Sequence, residues 1–430
     1  MPIRSSTLFP NTSARAAYSP RELIVHIEEE FDRARADEAY RRDWFEAHLP
    51  VLVHEFQHGL DHVGTVAGRE LLTCLSDAYL GLERKLARDS SQLWRMAALR
   101  DAERRFDRGT YFHEYDPDYR WLTPRLPRWR WESSVGLAFD HAGRSDAAEP
   151  IYFLRFTEVD QNRFVSRQPI TAAALFETRA MFVELEHAAL IAFREARGDE
   201  QRLNAFGRDQ ARTFYDPSLT LYSAPAHLAA SRCGDGDPLT AYRIASHAAG
   251  IVLNLAPDLD LDVRIPDVLH DERGMERLQQ LVARRDPGFL FVVLISAAPR
   301  YDGDTDRWLR DALAAANFPP LDAIYEAALG HLAYPSVRHG THFDMIYFEA
   351  CAAGHTNAAR TRPTRGLLDV PTMSRLNTVE GPFALPNYFA GDRALAPPCA
   401  SILEADRQRE AVEGAALLSS QMAEFLAACR

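Results

Sequence analysis

Residues 51–65 read VLVHEFQHGLDHVGT. His54 and His58 stand four positions apart, so on a helix they lie one turn from each other on the same face. Val51, Leu52, Val53, Phe56 and Leu60 make the flanks apolar, which predicts a buried helix over 50–63. Pro50 is suited to its first turn and Gly64 to its end, and Thr65 is placed to cap a following helix that runs to about Leu86. Polar groups on a buried face need partners. Two imidazoles at this spacing can reach one tetrahedral metal ion, and the neighbouring Glu55 can point at a water on that ion. Zinc lowers the pKa of such a water towards neutrality, and the carboxylate then takes its proton as the water attacks a carbonyl. With 15 histidines and 61 acids in 430 residues, an H-[DE]-x-x-H pattern is expected by chance about 0.07 times per chain. The pattern therefore carries weight.

The rest of the composition narrows the classes. Hydrophobic residues make up 47% of the chain, enough for one large domain or two ordinary ones. A net charge of -12 argues against a nucleic-acid binder, which would show a basic field. No apolar stretch approaches the roughly 20 residues that span a bilayer. The N-terminus, MPIRSSTLFPNTSARAAYSP, lacks the apolar stretch of a cleaved signal peptide. The five cysteines are scattered and form no CxxC pair, which suits a reducing compartment. The expected location is cytoplasmic, with export by a route lacking a cleaved signal as the alternative.

Along the chain the pattern is predominantly α (α+β). Residues 1–18 read as a mobile arm. Leu23, Ile24, Ile27 and Phe31 have helical spacing over 20–37, and a further helix is expected over 89–106. The stretch 111–133 is aromatic, Arg-rich and broken by proline, as in a long loop or insertion. Ile151 to Thr157 reads as a strand. A strong helix runs from about Thr171 to Arg197 and stops at Gly198. Residues 239–254, 305–333 and 402–428 look helical, while Phe289 to Ile295 is a strand or a short core helix. Residues 357–398 are Pro-rich and irregular. The boundaries that follow place an HExxH-bearing region at 19–215 and a helical region at 216–430 that completes a cleft.

The motif helix resembles that of the HExxH zinc metallopeptidases, the zincins, and the resemblance covers that helix and one later helix. It implies a helical core with few strands, a zinc cofactor, and a peptide or protein substrate. The metzincin extension would need glycine at 61 and histidine at 64, where this chain has Asp61 and Gly64. The aspzincin element starts with Gly64-Thr65 but meets Gly68 where an acid is required. The gluzincin pattern takes a glutamate from a separate helix. Here the sequence TAAALFETRAMFVELEHAAL offers Glu177, with Ala180 one turn on to let two helices approach. The resemblance implies His54, His58 and Glu177 as zinc ligands and Glu55 as general base. Glu184 is the alternative third ligand or an outer hydrogen-bond partner of a ligand histidine, and His62 is a further outer partner or an extra ligand. An oxyanion donor is sought among His339, His342, Tyr347 and His355.

Two other classes fit parts of the pattern. Glu55/His58 and Glu184/His187 are both ExxH pairs. With a carboxylate from Glu28, Glu29 or Glu30 they would make a di-iron carboxylate oxidase or oxygenase. Alternatively, the chain is a non-catalytic binding protein stabilised by metal, with Trp121, Arg125, Arg128, Trp129, Arg130 and Trp131 as its contact surface. Neither oligomeric state nor cleavage preference is encoded in any motif.

Overall fold

A computed structural model of the chain describes residues 16–27, 38–83, 90–121, 126–139, 143–233, 237–269, 274–333, 342–361, 383–390, 393–395, 397 and 400–428. In chain order the first elements are β1 (Ala16–Ser19), β2 (Ile24–Ile27), α1 (Glu38–Gly64), α2 (Val66–Glu83), α3 (Ser90–Tyr111) and β3 (Glu114–Tyr115). Then come β4 (Trp129–Phe139), β5 (Ser145–Glu158), β6 (Arg163–Pro169), α4 (Ala172–Ala196), α5 (Glu200–Phe214), α6 (Thr220–Ala230) and α7 (Pro238–Val252). The helices α8 (Met275–Ala283), α9 (Pro287–Ala297), α10 (Thr305–Ala315), α11 (Leu321–Ala333) and α12 (His342–Thr361) follow. The last elements are β7 (Ala384–Leu385), β8 (Asn387–Ala390), β9 (Arg393–Leu395), β10 (Ala400–Ser401) and α13 (Ala405–Ala428). The fold is predominantly helical with a few small sheets. No helix among the described residues is long and apolar enough to cross a membrane.

The chain divides into two units, 1–105 with 325–365 and 369–430, and 106–324 with 366–368. In the first, α1 packs on α2 and α12. The close approach of α12 rests on Gly354, where an added Cβ would lie 2.0 Å from the Val63 carbonyl oxygen. The α1–α2 corner is capped as expected, with Thr65 Oγ1 accepting from the Gly68 N–H at 3.0 Å and donating to the Asp61 carbonyl at 2.6 Å. α1 is longer than expected and runs through Pro50, which lies in its interior rather than its first turn. Proline has no N–H, so the helix gives up one backbone hydrogen bond there. A sheet of order β1-β2-β8-β9 lies in the same unit, with β1 at its edge and β2 parallel to β8.

That sheet replaces part of the helix expected over 20–37. Leu23 adopts φ 55°, closing a tight turn after Pro20, and Ile24 to Ile27 pair on both sides as a buried central strand. The spacing that fits one helix face also fits a short β-branched strand. Residues 28–37 lie outside the described residues, as do 1–15 of the expected arm; its residues 16–18 are strand.

In the second unit, β3-β6-β5-β4 form an antiparallel sheet. Residues 129–133 of the expected loop belong to β4, because Trp129 to Trp131 pair with Phe156 to Glu158. The undecided run Phe289 to Ile295 is the helix α9, buried on every side and packed on α4, α6, α7, α8 and α10. Its start is pressed against the chain at Ile170, where a Cβ on Gly288 would lie 1.9 Å from the carbonyl oxygen. The helix expected over 305–333 is two, α10 and α11, interrupted where Asn317 takes φ 55° ahead of Pro319-Pro320. Thr171 caps α4 and Arg197 ends it in the left-handed region before Gly198.

Candidate metal centre

α1 presents His54 and His58 on one buried face, each less than a tenth exposed. Their Nε2 atoms are 3.2 Å apart and their rings meet edge to face, with centroids 4.9 Å apart. Tetrahedral ligands at about 2.0–2.1 Å from a zinc ion stand about 3.3–3.4 Å from one another, so the two nitrogens already have the separation a shared ion requires. Glu177 lies on α4 in the second unit and is 1% exposed. The donor set of two imidazoles and one carboxylate suits zinc.

Glu55 points elsewhere in part. The Tyr18 N–H of edge strand β1 donates to Glu55 Oε2 at 2.7 Å in a buried setting, fixing one carboxylate oxygen and tying the strand to α1. The contact has no counterpart in the sequence reading, in which residues 1–18 form a mobile arm and 20–37 a helix.

The remaining α1 polar groups are held locally. His62 Nδ1 lies 2.8 Å from the His58 carbonyl oxygen, and its ring packs against Tyr18 at 5.3 Å. His62 is thus turned back onto its own helix, beside His58. Gln57 Nε2 donates to Asp61 Oδ1 at 2.9 Å. Glu184 lies two turns beyond Glu177 on α4. Its charge adds to burial in raising the Tyr242 pKa, which puts it near α7. His187 Nδ1 meets the Val183 carbonyl at 2.8 Å. Neither member of the Glu184/His187 pair belongs to a three-residue metal group among the described residues, and Glu28, Glu29 and Glu30 lie outside them.

Among the expected oxyanion donors, Tyr347 is buried and its hydroxyl donates to the Arg21 carbonyl at 3.0 Å. His355 is partly buried on α12, and burial followed by the nearby Arg69 charge lowers its pKa. His339 and the side chain of His342 lie outside the described residues. In the Arg/Trp stretch, Trp129 turns inward and stacks on His227 at 4.8 Å, whereas Arg128 and Arg130 are exposed. Arg125 lies outside the described residues.

No family model matches the chain, and neither a curated protein nor a solved structure matches it.

Proposed function

We propose that the protein is a zinc-dependent hydrolase of gluzincin type, with His54, His58 and Glu177 as ligands and Glu55 as general base. The observation that carries the reading is the buried His54–His58 pair of the HExxH helix, whose Nε2 atoms stand 3.2 Å apart, the separation a shared zinc ion requires. When bound, the ion would supply Lewis acidity and a lowered water pKa. The chain's own contribution is orientation and dryness. Leu52, Val53 and Phe56, on the same helix as the two imidazoles, are buried. The Tyr18 N–H fixes the plane of the Glu55 carboxylate, so its position does not have to be reorganised when it takes a proton. A peptide or other amide bond is the substrate that the zincin resemblance favours.

A second reading has its own support. The Tyr18–Glu55 hydrogen bond gives Glu55 a structural task, as expected if the metal only braces a non-catalytic fold. One experiment separates the two. Zinc content by elemental analysis and hydrolysis of a mixed fluorogenic peptide library are measured on wild type, Glu55→Gln and Glu177→Ala. Glutamine keeps an oxygen acceptor for Tyr18 but has no basicity. The hydrolase reading expects about one zinc per chain in wild type and Glu55→Gln, loss of activity in Glu55→Gln, and loss of zinc in Glu177→Ala. Zinc retained by Glu177→Ala sinks the ligand assignment, and activity retained by Glu55→Gln sinks the general base.

A further inference from the structure

The second unit holds a cavity of about 890 Å³, within the range of small-molecule sites. One wall is a face of α5, where Gly207 leaves the space open: a Cβ built there meets nothing within 4 Å. The opposite walls are aromatic. Tyr119, Trp121 and Tyr215 all line the cavity, with Trp121 and Tyr215 packed edge to face at 6.3 Å. The rings are held in place from behind. Trp129 Nε1 donates to the Tyr119 hydroxyl at 3.1 Å, Trp129 meets Tyr215 edge to face at 5.2 Å, and the Arg163 guanidinium sits 5.6 Å from the Tyr119 ring centroid. Such preordered rings offer stacking faces at little entropic cost.

The charges on the lining are unequal in their commitments. Asp116 is paired with Arg163 at 2.6 Å and accepts the Asp118 N–H, which together hold its carboxyl below the usual range despite the opposing effect of burial. Asp216 accepts from both the backbone N–H and the hydroxyl of Ser218. Both acids are therefore satisfied. Arg120 spends one nitrogen, Nη1, on the carbonyls of Pro117 and Tyr119, and Arg208 has no ion-pair partner among the described residues. The surplus charge facing the cavity is positive. Guanidinium groups beside stacking rings recognise a flat ring that carries an anion.

We propose that this cavity binds a small molecule combining a planar ring with a phosphate or carboxylate, the ring against Trp121 and Tyr215 and the anion on Arg208 and Arg120. The site is independent of the metal centre and of any hydrolytic activity.

The test is calorimetric titration of the full chain with adenosine 5′-monophosphate, indole-3-acetate, adenosine and inorganic phosphate. Saturable binding below about 1 mM is expected for at least one of the two ring anions, with adenosine and phosphate weaker by about tenfold or more. Which ring anion binds identifies the anion as phosphate or carboxylate. Gly207→Leu, which fills the open space and favours the helix, should abolish binding. Arg208→Ala, at an exposed position, should weaken the ring anion by about tenfold or more and leave adenosine unchanged. The proposal is overturned if neither ring anion binds, if adenosine binds as tightly as the anions, or if both variants bind as wild type does.

Discussion

Replacing His227 with glutamine should flatten the acid limb of the protein's stability curve. His227 on α6 is enclosed by Trp129, Phe156, Phe214 and Tyr215, and its Nε2 pairs with the Phe214 carbonyl at 2.8 Å. Burial pushes its pKa from 6.5 down to about 3, against a smaller upward pull from that hydrogen bond. The folded pKa lies below the unfolded one, so the neutral imidazole is the form the fold accepts. The stability it contributes is fully present above pH 6.5 and is lost as pH falls from there towards 3. A gap of about 3.5 pH units at about 1.4 kcal/mol each is on the order of 5 kcal/mol in total, and about half of it is gone by pH 4.5. Glutamine keeps a donor for the Phe214 carbonyl but takes up no proton. It loses ring packing, so the variant should be less stable than wild type at pH 7 by about 1–3 kcal/mol. The measurement is urea unfolding at pH 7, 6, 5 and 4.5, with the difference between the two proteins plotted against pH. That difference should shrink by about 2–3 kcal/mol between pH 7 and 4.5. Parallel curves would refute the claim that a neutral His227 is required by the fold.

Three further outcomes are expected. Asp286, the N-cap of α9, is pushed by burial from 3.8 up to about 6, while Oδ1 accepts the Phe289 N–H at 2.8 Å. Its folded pKa is raised, so its stability is present below 3.8 and lost as pH rises through 6. Asp286→Asn, which keeps the cap, should stabilise by about 2–3 kcal/mol at pH 8 and by nothing at pH 3.5 in denaturant titrations. Gly354→Ala would drive a Cβ into the Val63 backbone, and a cost of about 1–3 kcal/mol should appear as a drop of several degrees in a thermal melt. His54→Ala should remove bound zinc as completely as Glu177→Ala, whereas His62→Gln should retain it, read by elemental analysis after dialysis.

The legible parts of this fold are those whose signal is local. His54 and His58 share a face because four residues make about one helical turn, and that holds however the rest of the chain is arranged. Thr65, Thr171 and Gly198 mark helix ends through hydrogen bonds or a backbone angle within a few positions. Phe289 to Ile295 had no period to read, because a helix buried on all sides and a central strand are both continuously apolar. The first hairpin was illegible for a different reason. β2 is a central strand because β8, more than 350 residues later, pairs along the edge that β1 leaves open. Leu23, Ile24, Ile27 and Phe31 do not encode that partner.

The same distinction explains why Glu55 looked simpler in sequence than it is. Its position beside His54 fixes which way it leaves the helix, and that is the whole content of the HExxH pattern. The partner it meets is the backbone N–H of Tyr18, supplied by a strand whose existence depends on the distant pairing with β8. A backbone donor is indifferent to side-chain identity, so no residue type at position 18 could have announced it. It follows that the orientation of Glu55, the proposed general base, is controlled by the edge of a sheet. A change that loosens β8 without touching α1, such as Asn387→Ala, which removes its hydrogen bonds to the Leu403 carbonyl and Gln408, should loosen the hold on Glu55 while leaving His54 and His58 in place. In the proposed hydrolase that separates the two functions of the helix. Zinc content should stay at wild-type level while turnover falls, and a parallel loss of both would show that sheet and metal ligands are one cooperative unit.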